Sequence, residues 1–528
     1  MSLATLAPAG SDSAPAYGIA PAALAVMLGA LAVLGWAPWS RPWVLLLAFG
    51  VLPRLMTGTR RPATAALTAL AFSVTLHAGA QGWMITALLR ETGLPTPLAL
   101  LATIASLLCQ AGFIAAPLYL HARLRRSAPS AHGVPRRLVD VAQLSALLTV
   151  GEWVRDALLG GNSIAMAYAW LDTPLAGLLP LIGPYGLSFA AYLLCLGWLP
   201  IADHLVCRQY RPMATALLAL AAVLGAAHWG AGLPWIAPQG ESIDFALIGT
   251  ASAQRDKFSL DLVPARIERL AERMLAADAT LVLAPETAFP VFVHELPAGT
   301  LDRLQRGARG QGSHLFVGVA QMGAKEQAHN SLLHIPADGS RMRLFAKERL
   351  MPFGEYSPPG FSWFSRHLQF PLKDLSPGSP GQAPFDLGRF ALATLICHED
   401  GSPDLARRRA ADASLFLNPS NMAWFERSAA IEQGLVMARA RALETGRPVL
   451  RTTNAGGAAH IDHRGHVLAR TAHEGEAALT GAVRPMRGLT PYVRFGNAPV
   501  LLACATLLLA AIGQRRSIAR SVLSEGST

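Results

Sequence analysis

ATLICHED, residues 393–400, ends an apolar, strand-like run on Cys397 and follows it at once with His398 and Glu399. In layered α/β proteins, strand ends are where ligands and catalytic groups gather. The chain has five cysteines, and the other four (Cys109, Cys195, Cys207 and Cys504) lie in or beside long apolar stretches. Cys397 is thus the one thiol of the water-facing part, with no disulfide partner there, and a candidate nucleophile. On position alone it is equally a small buried core residue.

The 528 residues are 52% hydrophobic and 15% charged, with a mean hydropathy of +0.34. Ordinary soluble proteins carry about 25% charged residues. Residues 1–240 and 495–513 are poor in acids, whereas the middle is a normal mixture. The pattern predicts a membrane protein carrying one large globular domain. Apolar segments run at 18–38, 43–57, 64–88, 97–121, 138–159, 175–200, 213–236 and 496–513. Most approach the ~20 residues that cross a bilayer core.

The net charge of +11 does not point to nucleic acid, because its arginines cluster in alternate short loops. Arg54, Arg60 and Arg61 follow the second segment, Arg123, Arg125, Arg126, Arg136 and Arg137 the fourth, and Arg208 and Arg211 the sixth. Arg515, Arg516 and Arg520 follow the last, while 89–96 holds only Arg90 and 160–174 none. The positive-inside rule then puts both termini in the cytoplasm and the globular domain on the opposite face. A lone cysteine on that side is more in keeping with catalysis than with structure.

Within 241–488, IDFALIG (243–249), LVLAP (281–285), HLFVGVA (314–320), FALATLIC (390–397), ASLFLNPS (413–420) and PVLRTTN (448–454) read as strands. PARIERLAERMLAA (264–277) and IEQGLVMARARALETG (431–446) have helical spacing. Alternation of this kind predicts an α/β layered domain.

Glu286 closes LVLAPE, and Lys347 lies in LFAKERLMPFGEY (344–356). With Cys397 they make a coherent acyl-transfer set. Glu286 takes the thiol proton as general base. The Cys397 thiolate attacks an acyl carbonyl to give a thioester. Lys347 steadies thiolate and oxyanion, with the His398 backbone N–H as a second oxyanion donor. Glu286 and Lys347, each taken alone, also read as solvated charges, and His398 as a base has no support beyond its neighbour. Three features read as structural. HIDHRGH (460–466) is a hairpin turn rather than a metal site, Arg407, Arg408 and Arg409 a solvated helix face with attraction to anionic head groups as the alternative, and Glu152, Arg155 and Asp156 either a head-group or helix-packing site or an internal Glu152–Arg155 ion pair. Segment 160–174 is apolar enough to border a lipid entrance.

Glu, Lys and Cys in this order, on segments of this kind, resemble the nitrilase superfamily, and the fused apolar segments resemble its bacterial apolipoprotein N-acyltransferase family. The matching stretches are APETAFP (284–290), AKERLMPFGEYSPP (346–359), LICHED (395–400), NPSNMAWF (418–425), MARARALETGRPVLRTTNAG (437–456) and LTPYVRFGN (489–497). GEWVRDALL (151–159) and PLIGPYGLSF (180–189) match in the apolar part. The resemblance implies a nitrilase-like α-β-β-α sandwich on a membrane α-helical bundle of about eight helices. The bundle would take 1–240, the catalytic domain 241–488, and the last helix with its tail 489–528. It implies a multi-pass protein of the bacterial inner membrane, working as a monomer with its catalytic domain in the periplasm. The reaction it implies moves a fatty acyl chain from a phospholipid, through a cysteine thioester, to the N-terminal amine of an S-diacylglyceryl-cysteine apolipoprotein. Carried over, Glu286 is the base, Lys347 the oxyanion-stabilising cation and Cys397 the nucleophile. Glu355 orients the Lys–Cys pair, and Glu399 is the acid beside the nucleophile. No cofactor, metal or nucleic acid is implied. His398, Met422 and Phe258 depart from the family's usual tyrosine, aspartate and tryptophan. The rival readings are a membrane-tethered amidase or hydrolase with the same triad, and a non-catalytic lipoprotein-binding scaffold.

Overall fold

The computed structural model describes residues 19–525, apart from 59–60, 127–133, 207, 209, 252–253, 260, 324–325, 369–371, 373, 426 and 474. Arg60 and Cys207 lie outside the described residues. Helices cover all eight apolar segments. Among the described residues, Pro62–Gln81, Thr96–Arg125, Pro174–Asp203 and Met213–Gly230 are long and apolar enough to cross a membrane. Ala20–Val33, Trp43–Thr57 and Ala498–Gly513 are shorter and equally apolar. The eighth, Val134–Leu159, carries Glu152, Arg155 and Asp156. These are the helices of a membrane protein.

Strand Ile236–Pro238 follows helix Tyr210–Gly232 and pairs antiparallel with Met486–Gly488, so the chain enters and leaves the globular part through one two-stranded clasp. Between them two sheets stack. One runs, in spatial order, Ala478–Val483, Ile243–Ile248, Leu281–Leu283, His314–Met322, Ala328–Ile335 and Arg343–Ala346. The other runs Val467–Arg470, Ala459–Ile461, Val449–Thr453, Leu415–Ser420, Ala391–Thr394 and Phe385–Asp386.

Period-two alternation builds the layers. Phe245 and Leu247 point between the sheets, where they meet Phe316, Phe385, Ile396, Leu415, Leu417 and Leu450. Ala246 and Ile248 point outward to Ile267, Leu270 and Met274 of helix Val263–Leu275. Phe416 and Val449 do the same in the second sheet, against Leu405, Ala438 and Ala442. The result is the expected α-β-β-α sandwich. The strands that carry the site are parallel: Leu281–Leu283 between Ile243–Ile248 and His314–Met322, and Leu415–Ser420 between Ala391–Thr394 and Val449–Thr453. Their carboxyl ends therefore deliver Glu286, Cys397, Asn421 and Asn454 to one edge.

Helix Ala429–Thr445 joins the sandwich to the bundle. It starts on a Ser428 cap and ends on Gly446 at φ 68°, a left-handed stop that suits glycine. Gln433 donates to the carbonyls of Ala80 (2.8 Å) and Ala37 (3.4 Å). Trp83 donates to Gln433 at 3.2 Å. The fully buried Arg441 pairs with Glu444 at 2.8 Å, donates to the Asp400 carbonyl at 2.9 Å and lies 5.7 Å from the Tyr168 ring.

Two sequence expectations change here. Residues 164–171 are buried throughout, and Trp36 donates to the Ala165 carbonyl at 2.9 Å. That part of the 160–174 segment is a plug in the bundle core rather than the border of an opening. Glu152 does not pair directly with Arg155. It accepts from the Met166 N–H (2.9 Å), Ser188 (2.7 Å) and Tyr192 (2.8 Å), while Tyr185 donates to Asp156 (2.8 Å) and Arg155 to Gln110. These bonds favour the helix-packing alternative over a direct Glu152–Arg155 pair.

Candidate active site

Lys347 sits at the centre, 2% exposed. Strand Arg343–Ala346 delivers it, and its own N–H is fixed on the Asn330 carbonyl at 2.8 Å. Its ammonium bridges two carboxylates, Glu286 Oε1 at 2.9 Å and Glu355 at 2.9–3.0 Å. Asn330 Nδ2 donates to the same two carboxylates, each at 2.7 Å. The Met351 N–H adds a 2.7 Å bond to Glu355. Burial alone would discharge Lys347, but the two carboxylates outweigh it and hold the ammonium well above its ordinary pKa. Burial likewise pushes the Glu286 carboxyl up. The charge of Lys347 and the bonds from Lys347 and Asn330 win, so it lies below its ordinary value. Glu286 is an ionised, buried carboxylate.

The Glu286 backbone is equally fixed. Asn454 Nδ2 donates to its carbonyl at 2.7 Å, and Lys257 Nζ to the same oxygen at 3.2 Å. Thr287, next in the chain, stands at φ 46° and accepts a short bond from Lys257. Gly318 crosses directly beneath. A Cβ there would drive into the Pro285 carbonyl and the Thr287 N–H, so only glycine fits.

Cys397 is half-buried at the start of the turn Cys397–Gly401 and holds φ 53°, a strained conformation for a side chain of its kind. Burial and the Glu286 charge raise its thiol above the ordinary cysteine value. Lys347 and the Asn421 backbone N–H pull it back down without prevailing. The resting sulfur therefore keeps its proton. Glu286 and Lys347 are the charges that act on it most strongly.

Glu399, fully buried, locks the Cys397 turn to the Lys347 loop. Its carboxylate accepts from the N–H groups of Ile396 (2.8 Å), Glu348 (2.8 Å) and Arg349 (3.1 Å), and pairs with Arg409 at 2.8 Å. Arg409 corrects the reading of 407–409 as a solvated face: its side chain is 9% exposed and also reaches Glu348 at 3.2 Å. Arg408 does lie outside, 52% exposed. Glu399→Ala leaves the buried Arg409 with its longer, 3.2 Å pair to Glu348 in place of the 2.8 Å pair it loses, and frees both loops. Its expected cost is about 3–5 kcal/mol in thermal unfolding, with a fall of roughly 100-fold in turnover. Unchanged turnover would show that Glu399 does not set the site's geometry.

His398 is neutral, because burial and the nearby Lys347 hold its ring down to about 3. Neither ring nitrogen has a hydrogen-bond partner among the described residues. Met422 is buried against Ala430, Ile431, Trp83 and Phe425, and Phe258 is half-buried. His460 stacks edge-on against Phe245 at 4.9 Å, and Asp462 closes the following turn by accepting from the Arg464 (2.9 Å) and His466 (2.8 Å) N–H groups.

Sequence reading missed Asn330, Lys257, Asn454 and Arg409. Asn454 alone carries a legible signal, a polar residue closing the apolar run PVLRTTN.

Two family models match the chain, each over part of it. That of the apolipoprotein N-acyltransferase N-terminal domain matches residues 28–197, and that of carbon-nitrogen hydrolases matches 246–491. The apolipoprotein N-acyltransferase of Nitrosomonas europaea is 32% identical, over 92% of this chain and 96% of its own. That of Chromobacterium violaceum is 31% identical, over 93% and 94%. Among solved structures, a nitrilase-superfamily protein of Saccharomyces cerevisiae aligns with 47% of this chain and 92% of its own, at 20% identity and a TM-score of 0.37. On the family-model matches and these full-length relatives, the chain belongs to the apolipoprotein N-acyltransferase family.

Proposed function

We propose that the protein moves a fatty acyl chain from a phospholipid to the N-terminal amine of an S-diacylglyceryl-cysteine apolipoprotein, at the outer face of the cytoplasmic membrane. The observation that carries this is the buried Lys347 bridging Glu286 and Glu355 beside a strained, half-buried thiol, in a chain fused to apolar helices. Residues 1–240 form the membrane bundle, 241–488 the periplasmic catalytic domain, and 489–528 the last helix and cytoplasmic tail.

In the first half-reaction Glu286 takes the Cys397 proton as the sulfur attacks the ester carbonyl. The Lys347 ammonium and the His398 backbone N–H receive the oxyanion. The ester C–O bond breaks, and the lysophospholipid leaves with the proton from Glu286. In the second, the lipoprotein amine attacks the thioester and its proton passes to Glu286. The C–S bond breaks, and the sulfur recovers that proton. Glu355 and Glu399 are positioning groups. His398 contributes its backbone N–H, and burial and Lys347 keep its ring neutral.

Both substrates live in the bilayer, which supports a site held at its surface by helix Ala429–Thr445. The test supplies the purified protein with labelled phospholipid and then a diacylglyceryl peptide with a free N-terminus. Label passing from a hydroxylamine-sensitive adduct to the peptide amine is expected. Release as free fatty acid would make the protein a hydrolase, and the absence of any adduct would make it a scaffold.

A pH profile follows from the ion pair. Glu286 lies below its ordinary value, so the stability it contributes is present above about 4.3 and lost as pH falls through its lower folded value. The acid limb of transfer is therefore expected below pH ~4.3. A limb well above ~4.3 would show that the base is not a carboxylate held below its ordinary value.

A further inference from the structure

Lys257 is 2% exposed at the heart of the site, and the Glu286, Lys347 and Cys397 set gives it no role. It ends the short helix Gln254–Lys257, whose other end is anchored where Asn421 donates to Gln254 at 2.9 Å. Asn421 is also the residue whose backbone N–H favours the Cys397 thiolate. One short helix thus touches both loops of the reaction centre. Lys257 Nζ holds the Glu286 carbonyl and the strained Thr287, and the charges it faces are Glu286 and Cys397.

The charge balance gives this a consequence. Glu286 and Glu355 bring two negative charges, and Lys347 and Lys257 two positive ones. Moving the thiol proton to Glu286 makes a thiolate and a neutral acid, so the buried centre stays at zero net charge. Without Lys257 the same step takes place in a centre one charge negative. A buried uncompensated charge is costly, and a thiolate suffers most from it.

We propose that Lys257 is a positioning residue of the acyl-transfer centre, a second cation that fixes the base loop and offsets the charge of the Cys397 thiolate. The proposal rests on the reading of Cys397 as nucleophile. Burial brings the Lys257 ammonium down to about 7, against the pull of Glu286 and Cys397. Its help to the sulfur is therefore present below that pH and fades above it.

Iodoacetamide labelling of Cys397, read at the peptide level in the full-length protein from about pH 5.5 to about pH 9, needs no acyl donor. Lys257→Met is expected to label about 10-fold more slowly than wild type below pH ~6.5, a gap that closes as pH rises through ~7. Lys257→Arg keeps its charge, so it is expected to match wild type at low pH and exceed it above ~7. A gap of constant size at every pH would reduce Lys257 to a loop anchor, and equal rates would remove it from the centre. Either overturns the proposal. Should the variants fail to fold, the wild-type profile decides. A fall in rate as pH rises through ~7 supports the proposal, and a rate that stays level or only rises overturns it. A failure of the acyl-transfer reading shows itself differently, as normal labelling with no acyl adduct.

Discussion

Cys397→Ala is expected to lower acyl transfer by about 10,000-fold or more and to leave no hydroxylamine-sensitive adduct, while the protein folds as before. The residue lies half-buried at a turn, so losing the sulfur removes little packing, and unfolding should shift by no more than about 1 kcal/mol. The backbone sharpens the expectation. Cys397 stands at φ 53°, a conformation that glycine adopts freely and cysteine does not. Cys397→Gly should therefore be as inactive as the alanine variant and more stable, by about 1 kcal/mol. A glycine variant less stable than wild type would mean that the turn is not strained by its side chain.

Lys347→Met is expected to be the most damaging charge deletion. It leaves Glu286 and Glu355 facing each other in a buried site with no ammonium between them. Breaking a buried pair by removing one partner costs about 3–5 kcal/mol. Like-charged carboxylates in contact also force one to hold its proton at neutral pH, so the base is lost along with the oxyanion donor. Transfer should fall at least about 1,000-fold. Adding Glu355→Gln removes the repulsion without restoring the chemistry. The double variant should regain part of the lost stability and none of the activity. Additive losses in the two single variants and the double would show that the groups do not share one network.

The sequence pattern revealed those parts of the site that sit where apolar runs end. Glu286 and Cys397 follow parallel strands, and Lys347 follows a sheet edge, so each is marked by a break in hydrophobicity. The layers were legible for the same reason: Phe245 to Ile248 alternate between the two cores. The missing residues are polar groups whose meaning depends on a distant partner. Asn330 sits inside a strand, and nothing local tells that it bridges Glu286 and Glu355. Lys257 lies in a polar stretch that reads as solvated, yet the Glu286 loop covers it. Arg409 looks like its exposed neighbour Arg408, and only the folded position of Glu399 turns it inward. The 164–171 plug failed for a related reason. An apolar stretch does not say whether lipid or protein covers it, and Trp36 and Tyr168 show that protein does.

Everything proposed for this chain hangs on a fatty chain residing covalently on one sulfur. Mass spectrometry of the Cys397 peptide, after the intact protein meets a phospholipid of defined acyl composition with no acceptor present, tests that directly. The expected result is that acyl chain on Cys397 alone, removed by neutral hydroxylamine and matched by an equal yield of lysophospholipid. An acyl group on another residue, or lysophospholipid formed while the Cys397 peptide stays unmodified, would contradict it.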